Sequence, residues 1–229
     1  MSSIAESLSR IQDRLAAAIS KANRAQSDVE LLAVSKTFPA EVVKEAVEAG
    51  QLLLGENKVQ ELLAKKPLLP GKVRWHLIGH LQSNKIRKIL PEVEAVHSID
   101  SLDLAKGVDR VSGELGLRPK VYLEVNLAAE STKHGFPPSA LEASLEEILA
   151  LPRLEVQGLM CIPPFCEDVE ASRPYFVQLR QLRDRLASSF DVPLSGLSMG
   201  MSHDFEVAVE EGSTIVRVGS AIFGSRGRA

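Results

Sequence analysis

A lysine that follows an apolar run is the first residue in this sequence that could do chemistry. Residues 31–34 are apolar, and they lead through Ser35 to Lys36 before Pro39 ends the segment. The run predicts a buried parallel strand with Lys36 at its carboxyl end. Because an ammonium group is costly to remove from water, we expect the pKa of Lys36 to fall. A neutral amine there could form a Schiff base with an aldehyde, although residue type alone favours an ordinary surface lysine.

Two segments near the end of the sequence could bind an anion. Ser202 precedes a predicted helix that begins near His203, and Gly219 and Ser220 follow the last predicted strand. Backbone N–H groups at a helix start, together with hydroxyl groups, are suited to phosphate. Taken singly, Ser202 could be a plain helix cap and Gly219 a plain turn. Taken together, and placed opposite Lys36, they favour an anion site.

The combination of an amine and an anion site indicates the class of ligand. A phosphorylated aldehyde would satisfy both, and pyridoxal 5′-phosphate (PLP) is the common one. Arg217, in the last predicted strand, could then face the pyridine nitrogen. An arginine is always cationic and can only donate hydrogen bonds, so it would hold that nitrogen unprotonated and weaken the electron sink. A salt-bridged residue at a strand end is the alternative for Arg217.

The elements that must position these residues alternate between short apolar runs and helical patterns. Isoleucines and leucines at spacings of three and four predict an amphipathic helix from Ile4 to about residue 24. Strands are predicted at 31–35, 52–54, 74–78, 94–98, 120–126, 154–160, 195–198 and 214–218. Helices are predicted near 40–49, 57–66, 83–90, 101–115, 138–150, 169–189 and 204–211.

This alternation predicts an α/β fold, a (β/α)8 TIM barrel in which residues 1–229 form one domain. An open, doubly wound sheet is the rival architecture, but no Gly-x-Gly-x-x-Gly segment follows the first strand. Barrels of this kind carry their chemistry at the carboxyl ends of the strands. The candidate residues named above all fall at such positions.

Composition limits the classes of partner. The formal net charge is −3 and the sequence pI is about 6.0, so neither nucleic acid nor an anionic membrane is an expected partner. The two cysteines give no disulfide framework and no zinc site. Neither a signal peptide nor an apolar run of transmembrane length is visible, so we expect a cytoplasmic protein.

Five motifs, in order along the chain, carry a resemblance to a known family. They are Ala33–Thr37, Gly55–Gln60, Trp75–Lys85, Leu197–Ser202 and Ser213–Gly224. With these motifs the sequence resembles the YggS/PROSC family of PLP homeostasis proteins. The resemblance implies a monomeric barrel like the N-terminal domain of alanine racemase, with the cofactor held on a lysine.

The resemblance also implies roles for individual residues. It assigns Lys36 to the Schiff base and Arg217 to the pyridine nitrogen. The phosphate is assigned to Ser202, Gly219 and Ser220, and the ring to Asn57 and Met199. The stretch after the fifth strand, Ser131–Gly135, resembles a family loop whose lysine is implicated in cofactor handling. Lys133 is therefore a candidate for a second PLP-handling site.

The function that the resemblance implies is not catalytic. Such proteins bind, buffer and deliver the cofactor, which makes recipient apo-enzymes the expected protein partners. The chain also offers only Tyr122 and Tyr175 as phenols, neither directly after a strand, and we expect no second domain to close the site. A PLP-dependent amino-acid racemase of low activity and a lysine-dependent aldolase without cofactor remain alternatives.

Overall fold

Eight parallel strands close into a barrel in which each strand pairs with the next one along the chain. The computed structural model describes residues 3–128, 130 and 134–224. The strands are β1 Glu30–Val34, β2 Leu53–Glu56, β3 Arg74–Leu77, β4 Ala95–Ile99, β5 Lys120–Glu124, β6 Glu155–Met160, β7 Gly196–Met201 and β8 Ile215–Val218. β8 pairs back onto β1, with Arg217 opposite Leu32. The predicted (β/α)8 barrel is confirmed, and the open sheet is excluded.

The α-helices of the described residues surround the barrel, and one of them precedes it. They are α1 Ile4–Lys21, α2 Ala40–Glu48, α3 Val59–Lys65, α4 Ile86–Ile89, α5 Leu102–Leu115, α6 Pro138–Leu149, α7 Arg173–Phe190, α8 Phe205–Glu210 and α9 Ser220–Phe223. Within the described ranges, no helix is both long enough and apolar enough to span a membrane.

The α1 helix begins with a capping box in which Ser3 and Glu6 each accept the other's backbone N–H. It then packs its apolar face against α8 and α9, as its periodicity predicts.

β7 is longer than its sequence pattern predicts. It continues past Ser198 to Met201 through an irregularity in its pairing with β8. Gly200 permits this course because its φ is +91° and a Cβ there would lie 2.6 Å from the Cβ of Ala208. The helix predicted from residue 204 begins at Phe205, and the one predicted at 83–90 is divided between α4 and flanking 3-10 turns.

Alternation along the strands separates two layers of side chains. On β8, Val216 and Val218 belong to the large apolar cluster that includes the buried faces of the helices, whereas Ile215 belongs to a smaller cluster. That smaller cluster also contains Leu32 and Tyr122 and marks the barrel interior, because successive strand residues point to opposite faces. Arg217, two residues after Ile215, therefore points into the barrel.

Candidate functional site

Lys36 lies in a tight turn at the carboxyl rim of the barrel, two residues after β1 ends, and its side chain is half-buried. The backbone of this turn is held on both sides of the lysine. Ser35 donates its N–H to the carbonyl of Gly55 on β2, over 3.1 Å. Thr37 has a φ of +70° and donates its N–H to a carboxylate oxygen of Glu61 on α3, over 2.8 Å. The predicted position of Lys36, just past the first strand, is confirmed.

A buried ion pair supports this turn from β2 and α3. The Lys65 ammonium lies 2.5 Å from Oε1 of Glu56 and 2.8 Å from the carbonyl oxygen of Ser35. The Ser35 hydroxyl donates to the same Oε1 over 2.8 Å. Burial raises the pKa of Glu56, and the hydrogen bonds from Lys65 and Ser35 offset part of that rise. Oε2 of Glu56 is buried and has no hydrogen-bond partner among the described residues.

The predicted anion segments meet at the ends of β7 and β8. The Ser202 hydroxyl accepts the backbone N–H groups of Gly219 and Ala221, over 3.1 and 3.4 Å. Ser202 is therefore not the cap of α8, whose preceding residue is Asp204. It joins the two segments instead and keeps its own proton for donation.

These segments lie beside Lys36, not opposite it. β8 is the hydrogen-bonded neighbour of β1, and a Cβ added to Gly219 would lie 3.1 Å from the carbonyl oxygen of Val34. The expectation that the anion site lies on the opposite side of the barrel rim from Lys36 was wrong. Barrel closure makes the first and last strands adjacent, which a linear sequence does not display.

Arg217 crosses the barrel interior from β8 and is only 4% exposed. Its guanidinium donates to the Ser198 hydroxyl on β7 over 2.7 Å and to the carbonyl of Cys161, after β6, over 2.8 Å. Burial lowers the pKa of Arg217. A guanidinium nevertheless stays protonated in proteins, so Arg217 remains a fixed cationic donor beneath the rim.

Two neutral histidines continue the hydrogen-bonded chain from Arg217. Nδ1 of His97 lies 2.8 Å from the Ser198 hydroxyl, and Nε2 of His97 lies 2.9 Å from Nδ1 of His76. Burial lowers the pKa of His76 to about 4 and holds that of His97 well below its ordinary value.

This chain of hydrogen bonds starts at a fixed cationic donor, the Arg217 guanidinium. The Ser198 oxygen accepts from Arg217 and also shares a hydrogen bond with Nδ1 of His97, which in turn shares one with His76 through Nε2. Nε2 of His76, at the far end, is buried without a partner in the described part of the chain. The two histidines and Ser198 thus hold Arg217 in a defined orientation.

Glu124, the last residue of β5, is a buried carboxyl group that sequence reasoning missed. It is 8% exposed, and burial, reinforced by Asp100, raises its pKa to about 7. The sequence did contain a signal for this site, because a charged residue such as Glu124 is unusual inside an apolar strand. His97 and Ser198 carry the same signal, since each is a polar residue in a strand otherwise assigned to the core, and sequence reasoning missed them as well.

Three candidates from the sequence, Asn57, Met199 and Lys133, remain to be placed. Asn57 follows β2 directly and is half-buried, and its backbone is so close to Gly79 that a Cβ there would lie 2.3 Å from the Asn57 carbonyl oxygen. Met199 is fully buried in the apolar layer, at a strand position that alternates with Ser198. Its assignment to a cofactor ring stays a prediction. Lys133 lies outside the described residues.

Comparison with known proteins identifies the family. The profile of the family described as "Alanine racemase, N-terminal domain" matches residues 7–227. The "Pyridoxal phosphate homeostasis protein" of Aquifex aeolicus (strain VF5) is 45% identical over 222 residues, which cover 96% of this chain and 97% of that protein. This chain belongs to the PLP homeostasis protein family.

Solved structures agree with this family assignment. PipY of Synechococcus elongatus PCC7942, solved with PLP bound, is 41% identical and has a TM-score of 0.83, with 93% of this chain and 100% of PipY covered. An alanine racemase from Clostridium difficile 630 has a TM-score of 0.74 at 15% identity, with 93% of this chain and 57% of the racemase covered. The second likeness shows a shared fold only.

The ion pair beneath the lysine turn gives a first testable prediction for this family member. Replacing Lys65 by methionine should lower the free energy of unfolding by roughly 3–5 kcal/mol, because it leaves the Glu56 carboxyl buried and unpaired. Urea unfolding measures this loss. Lys44→Met is the matched control, since Lys44 forms an exposed pair with Glu48 and its loss should cost less than about 0.5 kcal/mol. Equal losses of unfolding free energy in the two variants would contradict the assignment of Lys65 and Glu56 as a buried ion pair.

Glu124 gives a second prediction, on pH. Its pKa is about 7 in the folded protein against an ordinary value of 4.5, so the folded state binds more protons between these values. Relative to Glu124→Gln, the wild-type free energy of unfolding should therefore fall as the pH rises from about 5 to about 8, by at most roughly 3 kcal/mol. Urea unfolding at both pH values measures the difference, and parallel pH profiles would refute the buried, protonated carboxyl group.

Proposed function

We propose that this chain binds PLP as a Schiff base on Lys36, and that it buffers the cofactor and delivers it to recipient apo-enzymes. The observation that carries the proposal is the convergence of three features on one sector of the rim. A lysine turn, a serine and glycine cradle and a buried arginine lie on β1, β7 and β8, which are consecutive around the closed barrel. The PLP-bound structure of PipY, at 41% identity, supports the same ligand.

The phosphate of PLP fits the cradle formed by Ser202, Gly219 and Ser220. Gly219 approaches the end of β1 so closely that a side chain would press on Val34, which sets the cradle directly beside the segment that carries Lys36. The Ser202 hydroxyl already accepts backbone N–H groups, so it is oriented to donate its proton outward. An anion bound there would lie within reach of the neighbouring segment that carries Lys36, which supports the proposal.

The pyridine nitrogen fits Arg217, and Asn57 and Met199 are proposed to border the ring. Bound PLP would supply an aldehyde for the lysine and an electron-withdrawing ring. Arg217 is buried and can only donate, so it would leave the ring nitrogen unprotonated and keep that electron sink weak. Ser198 and His97 would fix the guanidinium in this role. A weak electron sink suits a protein that holds the cofactor without using it.

We propose further that the protein is not an enzyme and acts as a cytoplasmic monomer, with the whole chain forming one PLP-binding domain. Its two tyrosines support the absence of racemase chemistry. Tyr122 lies inside the barrel against His97, and burial raises its pKa to about 12, which makes it a poor proton carrier. Tyr175 lies on α7, in the outer layer. Lys133 is kept in the proposal as a second PLP-handling residue.

The assignment of Lys36 gives the third prediction. The protein loaded with PLP should absorb visible light, and borohydride should trap the cofactor on Lys36, located by mass spectrometry of the digested protein. Both signals should be lost in Lys36→Ala, because the substitution removes the amine that the proposal places beside the cradle. Lys58→Ala is the matched control, since Lys58 is an exposed lysine on the same rim, just after β2, and its removal should leave both signals unchanged.

The same preparation separates the carrier from the alternatives. A carrier should exchange no amino-acid α-hydrogen with deuterated solvent above the rate of PLP alone, whereas a racemase should exchange it with turnover. Exchange at enzymatic rates that is lost in Lys36→Ala would overturn the non-catalytic assignment. A colourless protein that cannot be loaded with PLP would overturn the cofactor assignment itself.

A further inference from the structure

Two histidines and an aspartate meet on the rim of the barrel, away from the sector that carries Lys36. His80 follows β3, Asp100 follows β4, and His134 lies in the connection between β5 and α6. One ligand atom from each residue lies within 4.8 Å of the other two. Nothing in the proposed function uses these residues, and the three elements that supply them are separate in sequence.

The geometry points to a binding site for a divalent transition metal ion formed by His80, Asp100 and His134. Two imidazoles and one carboxylate form a donor set that suits ions such as Zn²⁺, with solvent completing the coordination. Nδ1 of His80 lies 2.9 Å from Oδ2 of Asp100, and Nδ1 of His134 lies 3.5 Å from the same oxygen. Tetrahedral zinc with bonds of about 2.0–2.1 Å separates its ligands by about 3.3 Å, which is close to both of these distances.

Both imidazoles lie with Nδ1 near the same carboxylate oxygen, Oδ2 of Asp100. Their rings are stacked, with centroids 3.8 Å apart and planes inclined by only 12°. Because a ring nitrogen binds an ion in the plane of its ring, the more exposed His134 ring must rotate out of the stack when an ion binds. Oδ1 of that carboxylate is occupied by the hydroxyl of Ser101, over 3.2 Å, which leaves Oδ2 for the histidines or for an ion.

The backbone positions of the ligands are set by other contacts. Gly79, before His80, packs on the backbone of Asn57, and its carbonyl accepts the Ser98 hydroxyl over 2.6 Å. After His134, Phe136 donates its backbone N–H to the carbonyl of Glu124 over 2.7 Å. The backbone that carries the two histidines is therefore fixed before an ion arrives, which limits the entropic cost of binding to the side chains.

Titration with metal ions tests this proposal on the purified protein without an affinity tag. Isothermal titration calorimetry should show one Zn²⁺ ion bound per chain and no binding of Mg²⁺, which prefers oxygen ligands. Co²⁺ should give the visible absorption of a four-coordinate ion, and Zn²⁺ should displace it. The titration is repeated after loading with PLP, and the stoichiometry at the site should not change, because the cofactor cradle lies on other strands.

Matched variants locate the ion. His80→Ala, Asp100→Asn and His134→Ala should each weaken Zn²⁺ binding by more than about tenfold, the lower end of the loss seen when even an outer partner of a metal ligand is removed. His203→Ala is the control, because His203 is another exposed histidine of the rim but lies outside the cluster, where it contacts the Glu167 carbonyl. All four variants should keep the visible absorption of bound PLP.

Three results would overturn the metal site. They are the absence of Zn²⁺ binding at micromolar concentration, binding that all three cluster variants leave unchanged, and an equal loss in His203→Ala. Any of them would leave the cluster as a hydrogen-bonded contact between the β5 connection and the rim. None of them bears on the Schiff base at Lys36, so the failure of this proposal is distinguishable from the failure of the cofactor assignment.

Discussion

The pairing of the last strand with the first is the constraint on which the rest of this structure depends. When β8 bonds to β1, the backbone of Gly219 comes into contact with Val34, and the lysine turn and the serine cradle become neighbours. Neither segment has a ligand site alone, since one offers an amine and the other only N–H and hydroxyl groups. Closure of the barrel therefore forms the candidate site, and any loss of the β1–β8 ladder would separate its two halves.

Beneath this rim, buried polar groups fix the positions of the groups that would touch the ligand. The Glu56 and Lys65 pair holds the turn that carries Lys36, while Ser198 and His97 hold Arg217. Burying such groups costs free energy that apolar residues would not incur, so stability alone does not account for them. Their role in orienting the site does account for them, because each of these buried groups contacts a residue of the candidate site.

Family membership and fold answer different questions about this protein. The same barrel occurs in an alanine racemase at 15% identity, so the architecture by itself does not distinguish a carrier from an enzyme. The proposal of a non-catalytic carrier rests on side chains instead. Arg217 would weaken the electron sink of a bound pyridine ring, and burial raises the pKa of Tyr122 to about 12, so under that proposal neither residue assists proton transfer at a substrate carbon.

The sequence by itself determined the barrel, the position of Lys36 and the motifs that identify the family, because strand and helix periodicity and local motifs are properties of neighbouring residues. It also indicated that Ser202 and Gly219 belong together. Only the tertiary structure decided that they lie beside Lys36, that β7 runs on to Met201, and that His97 contacts Ser198 from 101 residues away. Those features depend on strand register and barrel closure, which bring distant residues into contact and leave no periodic signal along the chain.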